Sequence, residues 1–266
     1  MLFLFLPLVL VILMGFSSLY SQVIMPVAGL PDFSEEEILN SGKGGKLAII
    51  IDDFGQSRNG VKEMMSINRH LTFAVMPFLE FSEEDALTAH EKGYEVIVHL
   101  SMEPYRGKLS WLGPRPIFSG MPGEEVVQIV EDSFISVPHA VGANNHMGSK
   151  ASDDENVVSN ILNVIKEKDM FFVDSMTSER HICKKIASLN GVRFYERDVF
   201  LDGQKPKSYV KEQLRKAEII AVKKGKAVAI GHVGAEGGKV TAEAISEMLA
   251  EFDKNKIELT FISELK

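Results

Sequence analysis

From residue 46 onward the apolar residues fall into short unbroken runs, separated by longer stretches where apolar positions recur every three to four residues. The runs are 47–51 (LAIII), 71–76 (LTFAVM), 94–98 (YEVIV), 140–144 (AVGAN), 170–173 (MFFV), 192–195 (VRFY), 227–230 (AVAI) and 257–262 (IELTFI). They are rich in β-branched and aromatic residues and apolar at consecutive rather than alternate positions, the pattern of parallel strands covered on both faces. Between most of them the periodicity predicts helices over 57–68, 82–92, 123–136, 153–168, 208–223 and 240–255. Ser82 and Ser152 stand ahead of acidic first turns, where they are expected to cap. Repeated βα units of this length build a parallel sheet, and seven or eight of them favour closure into a (β/α) barrel of the α/β class. An open doubly wound sheet is the competing architecture.

The start of the chain breaks this pattern. Residues 1–16 (MLFLFLPLVLVILMGF) carry no charge, which identifies 1–21 as the apolar region of a signal peptide or a short membrane anchor. A tether over 22–45 follows, with Pro26, Pro31, an acidic stretch and a Gly-rich end. Ser34 and Glu37 there predict a short helix near 34–39. The expected protein is therefore exported and extracytoplasmic, either secreted or held in the cell envelope by N-terminal membrane contact. Residues 46–266 are left as one folded domain. A domain of that size buries roughly 70% of its unfolded surface and needs no disulfide. The single cysteine, Cys183, excludes an intrachain bridge and reads as a packed helix residue. A net charge of −8 without a basic stripe argues against nucleic acid as partner.

Candidate chemistry collects in one place. Just past the predicted strands come Asp52-Asp53, His99, Asn145-His146, Asp174, Arg197-Asp198 and His232, while the opposite strand ends supply mostly Gly, Lys and Asn. In a parallel barrel the C-terminal strand ends form one face, and that face holds the active site. Of the paired carboxylates, one suits a divalent metal and the other suits accepting a proton from water. His99 and Glu103 lie four residues apart and share a face if their loop makes a helical turn. His146 is a further imidazole donor, with Asn144 and Asn145 placed to orient it. Asp174 is expected to hold a histidine or arginine in position; Arg180, Arg197, Asp198 and Asp202 are candidates for the same network or for substrate. His232, between Gly231 and Val233-Gly234, suits a general acid. The loop 105–121, rich in Gly and Pro and carrying the only tryptophan, Trp111, reads as a lid, a substrate shelf or a plain packed loop. No G-x-S-x-G, H-E-x-x-H or G-x-G-x-x-G motif is present.

The order I-I-D-D-F-G (50–55), H-L-S-M-E-P (99–104), N-N-H-M-G-S (144–149), D-S-M-T-S (174–178) and a late G-H (231–232) resembles the divergent polysaccharide deacetylases, relatives of the NodB-homology carbohydrate esterases. The resemblance covers about 46–265. It implies a polysaccharide-deacetylase-like barrel that hydrolyses acetyl groups, at C–N or ester bonds, on an envelope polysaccharide or acetylated amino sugar. It also implies Asp52 as base, Asp53 and His99 as metal ligands and His232 as acid. At Glu103 the chain departs from the ordinary family pattern, which has a second metal histidine there; either Glu103 or His146 takes that place. The implied metal is divalent, zinc first, with nickel, cobalt or iron also compatible. Two rivals stand beside this reading: an inactive envelope protein that binds glycan or a partner, and a metal phosphoesterase.

Overall fold

The computed structural model describes residue 34 and residues 42–265. The leader or anchor, most of the tether and the helix expected near 34–39 lie outside the described residues.

The sheet has nine strands: β1 (Gly45–Phe54), β2 (Thr72–Val75), β3 (Glu95–Met102), β4 (Gly142–Met147), β5 (Phe171–Asp174), β6 (Arg193–Glu196), β7 (Val199–Phe200), β8 (Lys226–His232) and β9 (Ile257–Leu259). Neighbours run in the order β6-β5-β4-β3-β2-β1-β8-β7, with β9 beside the start of β1, and every pairing is parallel. Helices α1 (Val61–Met64), α2 (Ser82–Glu91), α3 (Gly123–Ser136), α4 (Glu155–Glu167), α5 (Ile182–Asn190), α6 (Lys207–Lys224) and α7 (Gly238–Lys254) alternate with the strands. The sheet is curled and flanked by helices. Its two terminal strands, β6 and β7, are joined by Arg197 and Asp198 alone. The Arg197 amide still donates to Asp174 on β5, whereas the Asp198 amide donates to Val228 on β8. One extended segment thus changes partner between those two residues, and the curl is completed by the chain where no ladder completes it.

Because successive strand residues face opposite ways, the two faces bury separate apolar sets. Leu47, Ile49, Ile51, Val96, Val98, Phe172, Ala227 and Ala229 pack outward against the helices. Ala48, Ile50, Ile97, Phe171, Val173, Val228 and Ile230 pack inward, with Tyr195 against them. This phase decides which polar residues at the strand ends look inward.

Several boundaries differ from the sequence expectation, each for a local reason. The helix expected over 57–68 is one turn, because Gly60 ahead of it lies at φ 83°, where a β-carbon would overlap the Gly238 carbonyl carbon. Asp154, rather than Ser152, caps α4, accepting from the amides of Asn156 and Val157. Ser82 begins α2 and spends its hydroxyl on the Met76 carbonyl, not as a cap. The periodicity gives no bounds for helix α5, although Cys183 is expected to pack on a helix and does so there, and it misses the two-residue β7. The helix opens after His181 at φ 53° without a side-chain cap, and β7 is too short to show a period.

Candidate metal centre and active site

Strand phase builds the site. Asp52 is in register with the inward Ala48 and Ile50, His99 with Ile97, Arg197 with Tyr195, and His232 with Val228 and Ile230. On β4 Ala143 packs outward, which places Asn144 and His146 inward. Asp53 is off phase by this count. It is brought round because the β1–β2 register shifts between Ile51 and Phe54 and Asp53 itself lies at φ 69°. That left-handed conformation costs a non-glycine residue on the order of 1–3 kcal/mol. It is how two consecutive carboxylates come to serve one centre.

The donor atoms converge. His146 Nδ1 lies 3.1 Å from Asp53 Oδ1 and 3.1 Å from His99 Nε2, and His99 Nε2 lies 3.4 Å from Asp53 Oδ1. Asp53 Oδ1 is buried with no hydrogen-bond partner. Four-coordinate zinc with bonds of about 2.0–2.1 Å needs ligand separations of about 3.3–3.4 Å, so the triangle has the right size. The ring tautomers agree. His99 Nδ1–H donates to Asn144 Oδ1 at 2.7 Å, and His146 Nε2–H donates to the Trp111 carbonyl at 3.1 Å. Each ring therefore turns a lone pair toward the centre, as a metal-binding histidine must. Asp53, His99 and His146 form a cluster able to hold a divalent metal.

Around this cluster a cavity of about 190 Å³ is lined by Asp52, Arg197, Phe200, His232 and Glu236 among others. Asn144 Nδ2 donates to Asp52 Oδ1 at 2.8 Å, so one amide holds both Asp52 and His99. His232 Nδ1–H donates to Asp202 Oδ1 at 2.8 Å, and Asp202 Oδ2 accepts from the His232 amide and the Thr241 hydroxyl. Burial raises the Asp52 carboxyl above its ordinary value against the pull of His99, His232 and Asn144. Burial also pushes Asp53 up, but the His146 and His99 rings outweigh it and hold Asp53 well below the carboxylate range. Burial disfavours charge on His99, yet Asp52 and Asp53 raise its proton affinity. For His232 burial is likewise overcome, chiefly by Asp202, and the imidazole is pushed up to about 10. Apart from Asp52, where burial prevails, the shifts show carboxylates and imidazoles each favouring the charged form of the other.

Two expected site residues sit elsewhere. Glu103 follows the full length of β3, so no helical turn brings it back toward His99. Its carboxylate instead accepts from Lys150 Nζ at 2.9 Å and the Ser119 amide at 3.0 Å, anchoring the loop after β3. Asp174 shares the outward phase of Phe172 and accepts from the Met176 amide at 2.7 Å. It holds no histidine or arginine side chain; only its carbonyl meets the Arg197 amide. Arg197 reaches the cavity wall, donating to the carbonyls of Ser175 and Met176, with its guanidinium 5.1 Å from the Phe200 ring centre. Arg180 is an exposed partner of Asp153, and Asp198 binds Lys224 and the Val228 amide. Of that group, the pairing of Asp202 with His232 was not legible from spacing.

Residues 49–266 match the family described as divergent polysaccharide deacetylase. The chain belongs to that family. This deacetylase-family domain is 32% identical over 188 residues to the uncharacterised protein YibQ of Escherichia coli K12, a match covering 71% of this chain and 58% of that one. An uncharacterised protein of Haemophilus influenzae Rd is also 32% identical over 188 residues, covering 70% and 66%. The matches thus span less than two-thirds of either relative. In fold the domain is similar to the crystal structure of an uncharacterised protein from Agrobacterium tumefaciens C58, with a TM-score of 0.78 at 19% identity, covering 86% of this chain and 95% of that one.

Proposed function

We propose that the protein is a zinc-dependent hydrolase that removes acetyl groups from an envelope polysaccharide or acetylated amino sugar, working outside the cytoplasm. The observation that carries the reading is the Asp53–His99–His146 triangle opening on a cavity shared with Asp52 and His232. Membership in the deacetylase family supports a carbohydrate substrate. The charge-free residues 1–16 support export. Two imidazoles and one carboxylate favour zinc over the harder magnesium or calcium.

Asp53, His99 and His146 would hold the metal, which would supply Lewis acidity for an acyl carbonyl and for an attacking water. The chain supplies the rest. Asp52, fixed by Asn144, accepts the proton released as water attacks. His232 has its Nδ1–H tied to Asp202, which leaves Nε2 to hand a proton to the departing amine or alkoxide. The cavity volume suits an acetyl group and the atoms next to it.

The deciding experiment measures acetate release from acetylated amino-sugar oligomers by the full chain, together with its metal content. Wild type should carry about one zinc and release acetate; Asp52→Asn should keep the metal and lose turnover. Unchanged turnover in Asp52→Asn, or phosphate release from a generic ester in place of acetate release, would refute the reading.

A further inference from the structure

Among the described residues, the loop between β3 and α3 carries three of the seven large apolar side chains that stand exposed. Tyr105, Leu109 and Trp111 are 61%, 62% and 53% exposed, whereas Leu87, Ile135, Val141 and Leu189 stand on other elements. The Trp111 ring is half exposed beside a polar site, with Lys108 Nζ 5.8 Å from its centre, and grouped apolar side chains in such a place mark binding surfaces.

The loop is held rigidly for its exposure. A bridge between Met102 and Ile117 clasps its base, and Glu103 grips it through Ser119 and Lys150. The Tyr105 amide donates to Ser149 Oγ and the Tyr105 hydroxyl to Asp153. At the tip the Trp111 carbonyl takes the Nε2–H of His146, so the tryptophan backbone touches a ring of the metal centre. A β-carbon on Gly107 would lie 2.8 Å from Met147 Cε and 3.7 Å from the Trp111 ring. Trp111 and Met147 therefore border the same point, and Met147 is a wall of the cavity.

The geometry points to Trp111, with Leu109 and Tyr105, as a shelf for the sugar ring adjoining the one that reacts, which makes the substrate an oligomer or polymer rather than a single sugar. This rests on the deacetylase reading above. A cavity of about 190 Å³ takes the acetyl end, and everything else in a glycan chain must rest outside it. The apolar face of a pyranose, bearing its axial C–H groups, matches the flat face of an indole.

Trp111 is the only tryptophan, so the emission of the protein reports on the shelf alone. The test uses zinc-loaded full chain in mild detergent with β-1,4-linked N-acetylglucosamine oligomers of one to six rings. Wild-type kcat/KM should rise with length. In Trp111→Ala the hexamer advantage, read as the ratio of hexamer to monomer kcat/KM in the same zinc-loaded protein, should fall about tenfold. Trp111→Phe should restore most of the advantage, and Leu109→Ser should weaken it without touching His146. In Asp52→Asn the hexamer should shift the tryptophan emission and the monomer should not. An unaltered length dependence in Trp111→Ala, or emission unmoved by the hexamer, overturns the shelf. A shift in emission without acetate release from any oligomer overturns the hydrolase reading and leaves the shelf standing.

Discussion

Asn144 shows how much one buried side chain can determine. Its carbonyl oxygen fixes the tautomer of His99 and its amide steadies Asp52, so the two duties can be separated by substitution. Asn144→Asp keeps an acceptor for His99 but sets a second carboxylate against Asp52. Zinc should remain near stoichiometric by mass spectrometry while kcat falls roughly 10²-fold or more. A variant that loses zinc and turnover together would argue against separable roles. Asp202→Asn should leave zinc in place and reduce turnover about 10–100-fold, since the imidazole would lose its charged partner; rates against 4-nitrophenyl acetate and an oligomer would show it. At this scale the sequence exposed the residues but not their pairings. Asp52, Asp53, His99, His146 and His232 stand out by type and by position at strand ends. The choice between Glu103 and His146 depended on where β3 stops, and the apolar run ending at Val98 does not reveal the strand's last four residues. Asp174 misled for the same reason: one residue of strand phase separates the cavity from the helix side.

At the scale of elements, the approach of α7 to the loop after β8 is the tightest passage near the site. A β-carbon on Gly237 would overlap Asp202 Oδ2 and Thr241 Oγ1. Gly237→Ala should therefore cost about 1–3 kcal/mol in chemical denaturation, and it should dislodge Asp202 from His232, lowering activity even in the molecules that remain folded. Between α6 and α7, Glu218 is buried, with Oε1 accepting from Asn255 and Oε2 unpartnered. Burial raises its carboxyl above the ordinary value, with Glu251 adding to the shift and Asn255 opposing it. The folded protein then binds this proton more tightly than the unfolded chain, so this contribution to stability grows as pH falls from neutral toward the unfolded value and shrinks as pH rises. Melting curves at pH 7 and pH 5 should show wild type gaining on Glu218→Gln at the lower pH; parallel changes in the two would contradict it. The strand–helix alternation itself was legible because continuous apolar runs and helical periods are distinct signals. The extent of helix α5 was not, since it lacks a capping side chain and buries only Cys183, Ile186 and Ala187.

For the whole molecule, a divalent metal held by Asp53, His99 and His146 would also be a structural tie, because these residues come from β1, β3 and β4. Free zinc at 100 times its Kd should add about 2.7 kcal/mol to folding. At about 2–4 °C per kcal/mol for a domain of this size, chelation should lower Tm by roughly 5–11 °C. His99→Ala should melt identically with and without chelator. The parallel α/β barrel was readable from the chain, but the way it completes its curl was not, because β6 and β7 each look like part of one short run. Arg197 and Asp198 are the covalent hinge pin of the ring: on one side the backbone belongs to β5, on the other to β8. New termini placed between them by circular permutation would cut the short covalent link that holds the two sheet edges, β6 and β7, side by side, and would release Arg197 from the cavity wall along with it.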